Sequence, residues 1–313
     1  MNNKLLLPIR CVIISSMILI NLACMGIGSS TVAGSASLNT SISCPTGYVP
    51  VPHNSNYTST DFCVGKYIAS QSGSQAVSVA TNTPWVNITQ PSAITACQAN
   101  GAGYDLISNA EWQTIAQNIE QQASNWSGGA LGNGFLSNGM SNGFQSSVQV
   151  ANVSDSQGCY LTGDSCTTNW DNQKRTFNLS NGNVVWDISG NAYEFMKDLN
   201  TTNFGTSNNA SQVTATTNPI IGTLTGGAGI ATGTAVFLFG PAGNYTSLNT
   251  GTIGAVQSYG GLGWMQIGFN GGAMVRGGCI SDLGYTGIFA LSLDMGTSNT
   301  AGYYGFRCVY HVP

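Results

Sequence analysis

Residues 276–307 read RGGCISDLGYTGIFALSLDMGTSNTAGYYGFR, and this stretch contains the clearest pattern in the chain. Glycines, apolar residues and two terminal arginines recur along it as a frame that fixes the backbone. Chemically mixed residues fill the positions between them: Ile280, Ser281, Asp282, Leu283, Tyr285, Ser292, Asp294, Ala301, Tyr303 and Tyr304. A fixed frame with unpatterned outward positions is typical of a binding surface, whereas an active site needs particular groups held within a fraction of an ångström.

The composition is that of a folded chain with little charge. At 313 residues and 42% apolar content it can bury a full core in one or two domains. Only 6% of the residues are charged, against about 25% in ordinary domains. Solubility must therefore come from Asn, Ser, Thr, Gln and glycine, which suits a loop-rich protein outside the cytosol.

The N-terminus is typical of an export signal. Lys4 and Arg10 precede an apolar stretch from Cys11 to Ala23, which is too short to span a bilayer comfortably. Ala23-Cys24 resembles a bacterial lipoprotein cleavage site that would leave Cys24 lipidated, and simple cleavage and an uncleaved anchor are the alternatives. We expect residues 1–24 to be the signal and residues 25–43 to be a flexible spacer rich in Gly, Ser, Ala and Thr.

The charge balance excludes nucleic acid as a partner. Six basic and twelve acidic residues follow Cys24, which gives a net charge of −6 without a basic patch. We therefore expect an unknown protein or cell-surface ligand as partner, and membrane contact only through the N-terminal anchor. The predicted location is the bacterial outer membrane or cell surface, with a periplasmic or secreted protein as the alternative.

Local patterns predict two helices and several strands within a folded region, residues 44–313. Tyr48–Val51 and Phe62–Ile68 look like strands, and Pro91–Asn100 reads as a short helix before Gly101. Ser108 and Glu111 form a capping box for a second helix, whose apolar residues Trp112, Ile115, Ala116 and Ile119 share one face. Residues 125–144 are predicted to be a long loop, and residues 200–262 an irregular insertion with a few strands.

Cysteines and oxygen-bearing side chains supply the remaining candidates for chemistry. Cys159 and Cys166 flank a short loop and Cys44 and Cys63 bracket a turn-rich stretch, so each pair is a predicted disulfide. Cys279 is then either a buried thiol or a partner in another pairing. Asn191 and Glu194 lie in a carboxylate-rich block that predicts a structural calcium site; the alternative is a turn in which they bind backbone N–H groups.

Three blocks resemble the formylglycine-generating enzyme (sulfatase-modifying factor) family. Residues 104–112, YDLISNAEW, resemble its RLPTEAEW block; residues 186–195, WDISGNAYEF, resemble its GNVWEW block; and Arg276-Gly-Gly with Gly305-Phe-Arg307 resembles its RGGSW…GFR ending. The resemblance implies an α+β, C-type-lectin-like fold with two helices, small twisted antiparallel sheets and extensive loops. It also implies a disulfide between Cys97 and Cys308, because such folds commonly join the first helix to the last strand.

The departures from that family argue against its oxidase activity. Its enzymes carry two closely spaced reactive cysteines after RGGSW, whereas here Cys279 stands in the Ser position, Ile280 replaces Trp, and the next cysteine is Cys308. We therefore predict no catalytic residues. An oxidase that uses Cys279 and a structural envelope domain remain the alternative functions.

The C-terminus is also similar to the variable region, here about 276–308, of proteins diversified by retroelements. Arg276-Gly-Gly, residues 287–293, Ser298-Asn299 and residues 305–308 match that frame. Randomising the adenines of an Asn codon reaches every residue of the outward set up to Tyr303, but it does not reach Met295. The resemblance implies a non-enzymatic, surface-displayed binding protein, with the ten outward residues as ligand contacts and Trp264 on the same face.

Overall fold

The computed structural model describes residues 42–166, 171–199, 261, 263, 265, 266 and 271–312, with the side chains of residues 265, 266 and 294 left out. The predicted signal with Cys24, nearly all of the spacer, the insertion at 200–262 apart from residue 261, and Trp264 lie outside the described residues. Neither helix of the described part has the length and apolar character needed to cross a bilayer.

Helix α2 (Asn109–Glu120) begins at the capping box that the sequence predicts. The Ser108 hydroxyl accepts a hydrogen bond from the Glu111 N–H, and the Glu111 carboxylate accepts one from the Ser108 N–H at 2.7 Å. This reciprocal pair satisfies two N–H groups that the first helical turn would otherwise leave unpaired. Trp112, Ile115 and Ile119 are fully buried, so the predicted apolar face is the one that packs on the core.

Helix α1 (Gln90–Gln98) is displaced from its predicted bounds at both ends. Thr89 caps its N-terminus and accepts a hydrogen bond from the Ser92 N–H. Ala99 ends it, two residues before the predicted stop at Gly101. The prediction placed the end at a glycine, whereas the last turn already closes through N–H groups of Ala99 and Asn100 that donate to Thr95 and Cys97.

The strands of the described residues are short and number thirteen. They are β1 (Tyr48–Val51), β2 (Phe62–Gly65), β3 (Ser70–Ser72), β4 (Gln75–Val77), β5 (Tyr104–Leu106), β6 (Thr176–Asn178), β7 (Val184–Trp186), β8 (Tyr193–Leu199), β9 (Met265–Gln266), β10 (Ala273–Gly277), β11 (Gly287–Met295), β12 (Tyr304–Phe306) and β13 (Cys308–Tyr310). The predicted strand at 62–68 therefore ends early, at Gly65. Two helices with small sheets confirm the α+β class.

Two sheets organise the domain. An antiparallel sheet has the order β1-β2-β13-β5, and a five-stranded sheet has the order β12-β8-β10-β11-β9. The second sheet departs from the predicted antiparallel pattern, because β12 pairs with β8 and β9 pairs with β11 in parallel. Strands β10, β11 and β12 all come from residues 273–306, so the patterned stretch supplies most of this sheet.

Three disulfides join the pairs that the sequence analysis proposes. Cys44–Cys63 and Cys159–Cys166 close loops with sequence separations of 19 and 7, and Cys97–Cys308 spans a separation of 211. The last bond joins α1 to β13. It therefore closes the largest of the three disulfide loops and ties the first helix to the last strand.

Candidate functional site

Arg307 is the anchor beneath the patterned stretch. Its side chain is fully buried and binds the Glu194 carboxylate through two nitrogens, at 2.6 and 2.5 Å. It also donates to the carbonyl oxygens of Gly65 and Trp186, at 3.1 and 3.0 Å. One guanidinium thus links β12–β13, β8, β2 and β7, which is the framework role expected of an arginine fork inside a fold.

Arg276 has the same role at the other end of the stretch. It is fully buried, and its side chain donates to the Asn109 side-chain oxygen at 2.8 Å and to the Phe289 carbonyl at 3.2 Å. Asn109 is the first residue of α2, so this arginine joins the helix start to strands β10 and β11. Both terminal arginines therefore face inward and are not available to bind an anion.

The side chains of the predicted calcium site already have partners within the fold. Glu194 is held by Arg307, and Asp187 is held by the buried Arg175 through two contacts of 2.7 Å. Asn191 accepts from the Gln149 N–H at 2.8 Å and donates to the Gln149 carbonyl at 3.0 Å. Asp187 and Glu194 are thus each paired with an arginine, and the side chain of Asn191 holds backbone groups, as the alternative interpretation stated.

A loop at 279–286 carries the first half of the mixed positions and is seated on residues 138–143. The Asn138 side chain donates to the Thr286 carbonyl, and the Thr286 hydroxyl donates to the Asn138 carbonyl, both at 2.9 Å. The Leu283 N–H donates to the Ser141 carbonyl at 2.9 Å, and the Gly143 N–H donates to the Ile280 carbonyl at 2.8 Å. These bonds fix the loop mainly through its backbone, which leaves side chains free to differ.

Asp282 is an exception to that freedom. Its carboxylate accepts a hydrogen bond from the Cys279 N–H at 2.9 Å and so closes the loop. The next residue, Leu283, has a φ of 53°, a left-handed conformation in which a branched side chain is uncommon. At least one of the outward side chains therefore also helps to fix the conformation of the loop.

Tyr193 connects this loop to the second half of the mixed positions. Burial, and next the nearby Asp282 carboxylate, raise the pKa of the Tyr193 hydroxyl. The ring of Tyr193 lies 6.5 Å from that of Tyr303 and 5.8 Å from that of Tyr304. Positions separated by about twenty residues in sequence thus meet around one tyrosine of β8, which the sequence analysis did not include.

Five of the mixed positions that keep access to solvent define what we term the candidate binding face: Ser281, Asp282, Leu283, Tyr285 and Tyr303. Ser281 and Tyr303 are exposed, and the other three are partly buried. The face thus combines two aromatic rings, an apolar side chain, a hydroxyl and a carboxylate. Rigid aromatic surface next to small polar groups is the composition that antibody loops use for protein recognition.

Three predicted contact residues are corrected, because the fold buries them. Ile280 is 8% exposed, Ser292 is 3% exposed and Tyr304 is 6% exposed. The ring of Tyr304 packs against Phe195 at 5.7 Å, and its hydroxyl lies 2.7 Å from the Met295 sulfur, so it supports the face from below. Ala301 is half-buried against the core around α1, and the side chain of Asp294 lies outside the described residues.

Phe144 is a candidate contact that the sequence did not reveal. It follows Gly143, which binds the loop at 279–286, and it is 64% exposed. A β-carbon on Gly163 would come within 2.8 Å of its ring, so the ring rests on that glycine. Its surroundings in sequence are glycine-rich loop without periodicity, and only the fold places it next to residues 279–286.

Cys279 lacks the properties of a reactive thiol. It is the one cysteine among the described residues that is outside a disulfide, and it is buried. Burial, followed by the nearby Asp282 carboxylate, raises the pKa of its thiol to about 12. Because the thiolate is the nucleophile and the metal ligand, this environment does not favour the oxidase alternative.

Each of the two histidines contacts a carboxylate. His53 lies 2.7 Å from Asp61, and His311 lies 2.5 Å from Glu111 of the α2 capping box. The pairing of His311 with Glu111 has no sequence signal, because 200 residues separate the two.

The comparisons with known proteins give remote similarities. No protein-family model matches the chain, and no curated protein matches it. Among solved structures, the chain is similar to the Major Tropism Determinant P3c variant, with a TM-score of 0.39 and 15% identity over 85% of this chain and 53% of that one. It is also similar to Treponema denticola variable protein 1, with a TM-score of 0.37 and 13% identity over 85% of this chain and 92% of that one.

Proposed function

We propose that this chain is a surface-displayed ligand-binding protein whose candidate binding face is open to sequence diversification. The observation that supports this best is the contrast in burial within residues 276–307. Both terminal arginines are fully buried and bind the scaffold, whereas Ser281 and Tyr303 between them are exposed. Loop 279–286 is seated through its carbonyl and N–H groups, so most side chains on it can change without loss of those bonds.

The ligand class proposed for this face is a protein or another cell-surface macromolecule. Tyr285 and Tyr303 provide contact area at low cost in conformational entropy, and Ser281 and Asp282 provide adaptable hydrogen bonds. Aromatic residues are also enriched where binding energy concentrates in protein interfaces. The face holds one carboxylate and no cation among its five residues, so a partner with a basic patch would complement it best.

Sequencing of the gene locus tests the diversification directly. We expect a reverse-transcriptase gene and a near-copy of the segment that encodes residues 276–308, with the two copies differing at adenines. Across cells of one population, codons 281–283, 285 and 303 should vary while those of Arg276 and Arg307 stay constant. A locus without these elements, or variation spread evenly over frame and face, would refute the proposal.

A display experiment tests the face independently of its genetics. A library randomised at Ser281, Leu283, Tyr285 and Tyr303 should yield binders to a defined probe such as hen lysozyme. A control library randomised at the exposed positions Gln71, Ser74, Gln98 and Ser124 should yield fewer. Equal yields from both libraries would show that the candidate binding face binds the probe no better than other exposed surface does.

We also propose that the chain is exported and anchored through a lipidated Cys24. The apolar stretch before Ala23-Cys24 and the three disulfides support this, since disulfides persist in oxidising compartments. Metabolic labelling with an alkyne fatty acid should mark the wild-type chain and should not mark a Cys24→Ser variant. Equal labelling of both would contradict the proposed anchor.

A further inference from the structure

A pocket of about 460 Å³ lies apart from the residues that form the candidate binding face. Three segments line it: residues 52–55 after β1, the second half of α2 with the two residues that follow it (residues 114–122), and Ser180 in the turn between β6 and β7. The volume falls within the range of about 300–1,000 Å³ that is typical of small-molecule sites. None of its lining residues lies in 276–308, so its chemistry would stay constant while the face changes.

The lining is neutral and rich in groups that both donate and accept hydrogen bonds. Carboxamides come from Asn54, Gln117, Asn118, Gln121 and Gln122. Ser55, Thr114 and Ser180 add hydroxyls, and Pro52 and His53 complete the wall. Among the residues that the structure describes, no Asp, Glu, Lys or Arg lines this pocket.

Part of the wall is ordered before any ligand arrives. The Asn118 side chain donates to the Ser180 hydroxyl and accepts from the Ser180 N–H, both at 2.8 Å. The hydroxyls of Thr114 and Thr58 lie 3.2 Å apart. These contacts connect α2 to the β6–β7 turn and to the loop that follows β1, which fixes the shape of the opening.

Gln117 is the residue whose bonding is incomplete. Its side chain is 6% exposed and lines the pocket, and its amide nitrogen is buried without an acceptor at hydrogen-bond geometry. Burial raises the pKa of the neighbouring Glu120 to about 8, and the Gln117 amide partly offsets that shift. The contact between this amide and Glu120 falls short of hydrogen-bond geometry, so turning the amide toward an acceptor in the pocket would gain a bond without breaking a well-formed one.

We propose that this pocket binds a neutral, hydroxyl-rich ligand of the saccharide class. Sugar hydroxyls donate and accept at once, which matches carboxamides and hydroxyls that do the same. A charged ligand would lose water without meeting an opposite charge, and an apolar ligand would leave the amides without partners. The pocket is a second recognition site, separate from the face and fixed in sequence.

Ligand-detected NMR on the purified full chain tests this with defined sugars. The probes are glucose, galactose, mannose, N-acetylglucosamine, maltose and lactose, and glucose 6-phosphate serves as the charged comparison. We expect saturation transfer to at least one neutral sugar, and binding of glucose 6-phosphate no tighter than that of glucose. Gln117→Met has a similar size but lacks the amide, so it should keep the thermal midpoint of the wild type and weaken sugar binding at least tenfold.

Two further variants separate this pocket from the rest of the surface. Gln121→Leu, at an exposed lining position, should also weaken binding. Tyr303→Ala, on the candidate binding face, should leave it unchanged. The proposal is overturned if none of the six neutral sugars binds the folded wild-type chain. It is equally overturned if both glutamine variants bind as the wild type does, or if Tyr303→Ala is the variant that loses binding.

Discussion

The buried ends of the stretch 276–307 and the exposed positions between them follow opposite rules. At Arg307 every contact is specific: one carboxylate and the carbonyls of separate strands surround a fully buried guanidinium. At Ser281 and Tyr303 the side chain extends into solvent from a backbone that is bonded elsewhere. The difference shows how one short segment can specify a fold and still leave side chains free for recognition.

The largest effect is expected where a buried charge loses its partner. Arg307→Met leaves the Glu194 carboxylate fully buried without its cation. Breaking a buried pair on one side costs about 3–5 kcal/mol, so the free energy of unfolding should fall by that amount in urea denaturation. A double variant, Arg307→Met with Glu194→Leu, is the control and should recover part of the loss. A single variant with wild-type stability would remove the distinction between frame and face.

The next effect concerns two glycines of the same segment. Gly278 has a φ of +82°, and a β-carbon there would come within 2.9 Å of the Thr286 α-carbon, so Gly278→Ala should cost about 1–3 kcal/mol. Gly302 has open space around the same position and an ordinary φ, so Gly302→Ala should change stability by less than about 0.5 kcal/mol. Thermal denaturation of the two variants in parallel measures the contrast, and equal midpoints would contradict it.

A smaller effect depends on pH and on an ion pair at the surface. The hydrogen bond to Glu111 raises the pKa of His311 above its ordinary value. Stability from this pair is therefore fully present below the unfolded pKa of about 6.5 and is lost as pH rises through the folded pKa. Since His311 is half exposed, the contribution should be at most about 1 kcal/mol.

Comparison with His311→Asn isolates that contribution. The stability difference between wild type and variant should be largest near pH 6 and should shrink above pH 8. A difference that is flat over this range, or that grows with rising pH, would mean that the pair does not stabilise the charged imidazole.

The smallest effect belongs to the face itself. Ser281 is exposed, and Ser281→Ala should shift the free energy of unfolding by no more than about 0.5 kcal/mol. Asp282→Ala is the informative comparison, since it removes the bond to the Cys279 N–H and should cost about 1 kcal/mol. If both changes were equally neutral, Asp282 would be a contact residue alone and would have no part in the loop geometry.

Local signals in the sequence predicted the elements better than their assembly. The capping box of Ser108 and Glu111 and the apolar spacing of Trp112, Ile115 and Ile119 act within one helix, so the pattern was sufficient. The parallel pairing of β12 with β8 joins segments more than a hundred residues apart. Such pairing depends on tertiary contacts that no short pattern contains.

The candidate site was predicted in part for the same reason. Ser281 lies in a loop and Tyr303 directly precedes β12. At such positions the glycines and apolar residues around them are enough to predict that the side chain is exposed. Ser292 and Tyr304 were wrongly predicted to contact the ligand, because both are buried in the five-stranded sheet. Whether a strand residue is buried depends on what packs against the strand, which its own sequence does not show. Tyr193 and Phe144 come from outside the patterned stretch, so only the fold brings them to it.

Because β13 is an inner strand of the four-stranded sheet, a chain that is truncated or frameshifted before it cannot complete the fold. This strand lies between β2 and β5, and its Cys308 secures α1 through Cys97. A frameshift or stop codon introduced anywhere in residues 276–307 would remove both features, so the four-stranded sheet could not assemble. Such copies would fail to fold, and the folded molecules would be those whose reading frame survived intact.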